Sequence, residues 1–342
     1  MKSLKIFRNW ESALVGLLIA EVFLFGAFTP SFLNLDNLFY STNDFTHIML
    51  AALPLTLVMI TSGIDISVAS MMGLSSVVLG VFWLSGVNIF VAMGLALLTG
   101  ILAGMFNGVL VAYSDIQPLV ITLGTLFLYS GLATGIAGMQ GAESYEGISG
   151  LPTSFNNISH GSLGIIPYPL LIVLAFAIIL HVLLTRTRFG RSLFLIGVNA
   201  EAARFSGVPV RRVIIGAYAL SGFGAALAGV MLTSYFTSAR SDLGGEALLP
   251  IITAVVLGGT SNLGGSGTIA GTLLASLAVG FLKQGLLAVG ITNDISQVVI
   301  GSLLVVVVAG KLGSAALNQL RINRKALRAS EETKGGASSI SG

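Results

Sequence analysis

TRTRFGRSLFLIGVNAEAARFSGVPVRR (185–212) holds six arginines in a chain of 342 residues that has only seventeen Lys and Arg. Apolar runs flank it on both sides. Basic residues beside membrane spans favour the cytoplasm, so the stretch predicts a cytoplasmic loop. Two further basic groups mark the chain ends: Lys2, Lys5 and Arg8, then Lys311, Arg321, Arg324, Lys325, Arg328 and Lys334. Only Arg240 and Lys283 fall elsewhere. With all three groups on one side, the number of spans between successive groups is even. Apolar segments of about 20 residues lie at 12–29, 46–62, 68–86, 89–113, 118–139 and 168–185 before the loop. Four more follow it, at 213–234, 247–263, 268–288 and 295–310. The segment at 247–263 is the weakest, because it is short and runs into glycines.

The expected fold is all-α: a polytopic membrane bundle of about ten helices with both termini cytoplasmic. Composition agrees, with 54% hydrophobic and 9% charged residues against roughly 25% charged in soluble domains. That excludes a water-soluble enzyme and a disordered chain. The first span is read as retained rather than as a leader, because no small-x-small site follows it and its removal breaks the parity. Residues 1–312 are expected to form the membrane domain, with its cytoplasmic loop at about 186–212, and 313–342 a polar tail. The stretch 140–167 is the longest outer loop. A net charge of +3, split among three segments, does not suggest nucleic acid. Without cysteine there are no disulfides, catalytic thiolates or Cys-bound metals.

The 43 glycines are patterned. Gly100, Gly104 and Gly108 repeat every fourth residue, as do Ser221, Ala225 and Gly229, and Gly267 pairs with Gly271. Residues four apart share a helix face, so these strips let backbones approach closely. A glycine-rich, tightly packed bundle follows.

Polar residues near the hydrocarbon are the candidate sites. TSGIDISVAS (61–70) places Asp65 and Ser67 between two apolar runs, either facing a cavity or capping the next helix. Asn107 lies beside the glycine strip, where an interhelical hydrogen bond is expected. Thr122 and Thr125, in PLVITLGT (118–125), offer hydroxyls to a polar substrate or bond back to their own helix. Together Asp65, Ser67, Asn107, Thr122 and Thr125 form the candidate substrate pathway. Glu21 and Lys283 lie in or near spans with no assigned partner. GGTSNLGGSGTIAG (258–271) lacks the Gly-Lys-Ser/Thr ending of a phosphate loop and reads as a break between two short helices, a feature that can line a transporter site. His47, His160 and His181 stand apart, and neither a metal motif nor a catalytic set is apparent. SARSDLGG (238–245) is expected outside, with Arg240 and Asp242 pairing in solvent or meeting a partner protein. NAEAARFSG (199–207) predicts a short helix with Asn199 as N-cap and Gly207 as stop.

GIDIS (63–67), NGVLVAY (107–113), PLVITLGTL (118–126), TRFGRSLFLIGVNAEAARFSGV (187–208), AVVLGG (254–259) and GGSGTIAGT (264–272) occur in an order that resembles the permease subunits of bacterial sugar-type ATP-binding-cassette importers, the ribose, xylose and rhamnose group. The likeness covers about residues 12–312. Ala69 stands where a glycine is common in that group. STNDF (41–45), YEGISGLP (145–152) and SYFTSARSDLG (234–244) are most similar to its autoinducer 2 import branch, with rhamnose permeases sharing some of these features. The resemblance implies a multi-pass inner-membrane subunit without catalytic activity, paired with a sister permease as a heterodimer. It implies two cytoplasmic subunits that use ATP and magnesium, and a periplasmic or lipid-anchored binding protein. No cofactor is expected in this chain. By the same resemblance Asn199, Glu201, Ala203, Arg204 and Gly207 form the helix that docks on the ATPase, and Arg240 and Asp242 face the binding protein.

Two other readings carry different requirements. An ion-coupled transporter needs a titrating membrane carboxylate, for which Asp65 and Glu21 are the candidates. A membrane-embedded enzyme needs a paired-carboxylate, metal or nucleophile motif, and the chain offers none.

Overall fold

The computed structural model describes residues 2–139 and 147–310. Its helices are α1 (Lys2–Phe28), α2 (Leu35–Ser41), α3 (Thr46–Ile60), α4 (Val68–Leu84), α5 (Ile89–Tyr113), α6 (Pro118–Met139), α7 (Thr153–His160) and α8 (Tyr168–Arg186). There follow α9 (Arg188–Val198), α10 (Ala200–Phe205), α11 (Val210–Phe236), α12 (Leu248–Leu257), α13 (Ile269–Ala288) and α14 (Asn293–Gly310). A two-stranded hairpin, β1 (Ser162–Leu163) with β2 (Ile166–Pro167), precedes α8. The tail expected after residue 312, and residues 140–146 of the expected outer loop, lie outside the described residues.

Among the described residues, eight stretches are long and apolar enough to cross a membrane: α1 from Trp10, Leu35–Ile60, α5, α6, α8, α11, α13 and α14. The other two expected spans form shorter helices, α4 with 17 residues and α12 with 10. The helix expected over 247–263 therefore stops at Leu257, about 15 Å after it starts. Gly258 and Gly259 follow, the latter at φ 95°, where an L side chain is strained.

α11 is the hub. Small residues on several of its faces bring three neighbours to backbone contact. A Cβ on Gly222 would strike the Gly100 carbonyl of α5, and one on Gly104 would strike the Tyr218 carbonyl of α11. On other faces, Gly224 meets the Leu50 carbonyl and Pro54 of α3, and Gly229 meets Met72 of α4. Without water to squeeze out, this close van der Waals packing is the main attraction between membrane helices. The two strips read from the sequence thus face different partners: Gly100, Gly104 and Gly108 pack on α11, while Ser221 and Gly229 of α11 point to the α3–α4 region.

The segment between α11 and α12 is irregular and runs down the side of α4. Ala239 sits beside Gly80, Ser241 beside Gly73, and Gly244 against the Ala69 carbonyl. Protein must satisfy such backbone at membrane depth. Ile148 and Ala239 exchange two hydrogen bonds of 2.8 Å, and the Arg240 amide donates to Ser76 Oγ at 3.0 Å. The glycines of α4 leave the room this segment occupies.

Replacing Gly222 by Ala should destabilise the bundle by about 1–3 kcal/mol through overpacking. Gly124→Ala, where a Cβ meets nothing within 4 Å, should have no such cost. Unfolding midpoints of the two variants in mixed micelles check this.

Candidate functional site

Four of the five residues read as a substrate pathway come together. Asp65 Oδ1 accepts from the Ser67 amide at 3.1 Å and Ser67 Oγ at 2.6 Å. Its Oδ2 accepts from Ser221 Oγ of α11 at 2.9 Å. Asn107 of α5 donates to Ser67 Oγ at 2.8 Å, and Tyr129 of α6 lies 3.0 Å from Asn107 Oδ1 and 2.9 Å from the Ala103 carbonyl. Thr122 reaches across to the Ile64 carbonyl at 3.1 Å while also bonding back to Pro118 at 3.0 Å. Thr125 does not join: its hydroxyl bonds back to the Thr122 carbonyl at 3.3 Å. The result is a polar knot tying α5, α6 and α11 to the break between α3 and α4. Asp65, Ser67, Asn107, Thr122 and Ser221 have no exposed surface in this conformation. Ser67 occupies the α4 N-cap position without a side-chain cap bond, so Asp65 braces the turn rather than capping the helix.

Sequence reasoning left out Ser221, Tyr129 and Tyr218. Ser221 stood in plain view within a small-residue strip, where its size was read and its hydroxyl was not. Tyr129 follows Thr122 by seven positions, two helical turns on the same face of α6. Tyr218, fully buried, approaches the Ile64 carbonyl at 3.4 Å and had no local signal.

Next to the knot, three backbones meet. The Gly265 amide donates to the Ile60 carbonyl at 2.9 Å, and Ser62 Oγ donates to the Leu263 carbonyl at 2.8 Å and lies 3.4 Å from that of Gly197. A Cβ on Gly197 would collide with Ile60 O and with the Gly265 amide. Ser62 holds φ 65° there, a conformation rare for a residue with a side chain. The glycine-rich break 258–268 is thus a brace, not an anion cradle. α1 holds its two ends: Trp10 Nε1 donates to Leu257 O at 2.9 Å, and Thr268, the N-cap of α13, donates to Glu11 at 3.1 Å.

Gly197 is the penultimate residue of α9, a helix that the central loop was not expected to contain. α9 buries Gly190, Leu193 and Ile196 and exposes Arg188 and Arg191. The expected short helix follows as α10. Asn199 Oδ1 accepts from the Ala202 amide at 2.9 Å. At the other end Gly207 adopts φ 80°, with Gly207 N bonded to Arg204 O and Val208 N to Ala203 O, a Schellman stop. Ala203 is buried, whereas Asn199, Glu201, Arg204 and Phe205 project outward, Phe205 being 85% exposed. Leu195 and Val198 of α9 and Leu263 of the break are also exposed. Together they form an exposed apolar patch beside the arginines.

At the opposite end of the bundle, Arg240 Nε donates to Asp242 Oδ1 at 2.9 Å. Glu21, on α1, is buried with one carboxylate oxygen unpartnered.

Residues 37–308 match the model of a family described as branched-chain amino acid transport system / permease component. The chain belongs to that family. α1 precedes the matched region. Among its relatives, the autoinducer 2 import system permease protein LsrD of Klebsiella pneumoniae is 50% identical over 308 residues, 90% of this chain and 93% of that protein. The protein of the same name from Yersinia enterocolitica is 47% identical over 90% of this chain and 94% of its own length. That of Escherichia coli K12 is 46% identical over 93% and 96%. No solved structure matches the chain. The permease is a multi-pass membrane protein, the membrane component of a transport system. Its family description names branched-chain amino acids, whereas these relatives are named for autoinducer 2.

Ser221→Ala should remove one donor from Asp65 and cost about 1–3 kcal/mol, as for a buried acceptor left without its partner. Asn107→Leu should also destabilise, by about 1–3 kcal/mol, because it removes the donor to Ser67 Oγ and the acceptor beside Tyr129 from a buried network. Adding the second change to the first should cost less than the sum, since both belong to one network. Unfolding midpoints of the two single variants and the double variant decide it.

Proposed function

We propose that the permease is one half of the translocation unit of an ATP-driven autoinducer 2 importer in the bacterial inner membrane. The observation that carries this reading is the 46–50% identity to autoinducer 2 import permeases over about nine-tenths of the chain. Rhamnose or another monosaccharide is the alternative cargo. The other half is a sister permease. Two cytoplasmic subunits bind and hydrolyse ATP with magnesium, and a periplasmic or lipid-anchored protein delivers the ligand.

Both termini lie in the cytoplasm and the chain crosses ten times. One crossing is discontinuous: the irregular segment descends about 16 Å along α4 from Gly80 to Ala69, and α12 adds about 15 Å. Together they match a hydrocarbon core of about 30 Å. α10 is the element that meets the ATPase. Its motion passes through Gly197 to both breaks, since α9, Ile60–Ser62 and Leu263–Gly265 share backbone contacts. The Asp65 knot makes α4, α5, α6 and α11 move as one body. Asp65, Ser67, Asn107 and Thr122 therefore act by holding helices together, while the ligand passes elsewhere. ATP drives the change between inward and outward states only by binding one of them better.

Cells lacking this gene should fail to clear autoinducer 2 from the medium, and the gene should restore clearance. Unchanged clearance in the deletion strain, with labelled rhamnose uptake lost, transfers the cargo to rhamnose. Glu201→Lys combined with Gly207→Trp should prevent copurification of the ATPase with a permease that still inserts and folds. Retained copurification removes α10 from that role.

A further inference from the structure

A cavity of ≈ 290 Å³ opens at the end of the bundle opposite α9 and α10. Its polar wall comes from six places: Asp44 before α3, His47 on α3, Tyr235 at the end of α11, Arg240 and Asp242 in the irregular segment, Glu246 before α12, and Lys283 on α13. Its deeper wall is apolar, with Ile48, Leu232 and Pro250, all buried. The polar groups are partly committed to one another. Tyr235 donates to Asp44, Arg240 pairs with Asp242, and Asn293 donates to Glu246 at 3.0 Å. Lys283 Nζ lies 3.9 Å from Glu246, beyond hydrogen-bond length. His160 stacks behind Tyr235 with ring centroids 6.0 Å apart and planes 7° apart, which fixes the tyrosine ring.

This cavity differs from the closed Asp65 knot in three respects. It is open, it joins the discontinuous crossing to the mouth of the bundle, and its charges nearly cancel. Opposed donors and acceptors on a small cavity favour a compact molecule that both gives and takes hydrogen bonds. The volume is at the lower edge of ligand sites, about 300–1,000 Å³. Irregular backbone beside a broken helix is a recurrent place for transporter sites. A zwitterion would need one strong pole for each charge, whereas here each of the two cations, Arg240 and Lys283, already has a carboxylate beside it.

We propose that this cavity is a transit site for a small, uncharged, hydroxyl-rich ligand, held by the Arg240–Asp242 and Glu246–Lys283 pairs. The inference rests on the importer reading and deepens it by naming where cargo first meets the permease. It gives Arg240 and Asp242 a role in touching ligand rather than in docking a protein.

The chain contains no cysteine, so a single Leu243→Cys on the cavity wall is a clean reporter. In spheroplasts carrying the complete importer, the rate of its modification by a membrane-impermeant maleimide is measured with and without autoinducer 2, rhamnose or leucine. Autoinducer 2 or rhamnose should slow labelling, about tenfold at ten times the dissociation constant, and leucine should not. Glu246→Gln with Lys283→Met, in the same background, should abolish the protection. Protection by leucine, protection unaffected by the double change, or no protection by any compound overturns the proposal. Slowing only when the binding protein is added without ligand also overturns it, because the surface is then a protein dock. Protection by rhamnose alone leaves the transit site standing while removing autoinducer 2 as the cargo.

Discussion

The carbonyl of Ile60, at the end of α3, takes its hydrogen bond from the amide of Gly265, 205 positions later in the chain. Lipid offers no hydrogen bonds, so backbone groups of a membrane protein that leave a helix find their partners inside the protein. Here the ends of α3 and α12 supply each other. α3 stops at Ile60, α12 stops at Leu257, and the loops that follow exchange backbone and Ser62 contacts. That exchange braces the two breaks, and the first of them leaves the carboxylate of Asp65 facing α11.

The exchange needs closeness, and closeness needs glycine. Gly197 sits where any side chain would meet Ile60 and Gly265, and Gly264 is crowded by Ser62. The same economy governs α11, whose small residues admit α3, α4 and α5 to backbone distance. A bundle packed in this way is stiff, because interiors at this density shift between discrete packings rather than deform smoothly. Stiffness suits a permease component. α10 begins three residues after Gly197, whose backbone touches both breaks. The knot of Asp65, Ser67, Asn107, Tyr129 and Ser221 adds directional bonds to that packing.

The two ends of the bundle have different chemistry. At one, exposed Phe205, Val198 and Leu263 lie among arginines, a surface that a protein can cover. At the other, charges of both signs line a recess. The end with the arginines follows directly from their distribution along the chain. The recess does not, because its walls come from positions 44 to 283.

Spans, loop charge and the α10 helix were legible in the sequence because each is a local property. Apolar length, the Asn199 cap and the Gly207 stop are set within a few residues of backbone. The extent of α12 was half legible: the glycines announced an interruption, and the structure put it at Leu257. The presence of α9 was missed, since its buried Leu193 and Ile196 look like any apolar run. Asp65 was singled out by cost alone, for a carboxylate near hydrocarbon needs a reason, yet its partner Ser221 lies 156 positions away. Pairings of that kind depend on how each helix is turned about its own axis. In water the contrast between apolar and polar faces reveals the turn. In lipid both faces are apolar, so the sequence by itself determined where the long apolar helices lie and where the chain is basic. Only the tertiary structure, through small residues meeting and buried polar groups finding donors, decided which faces touch.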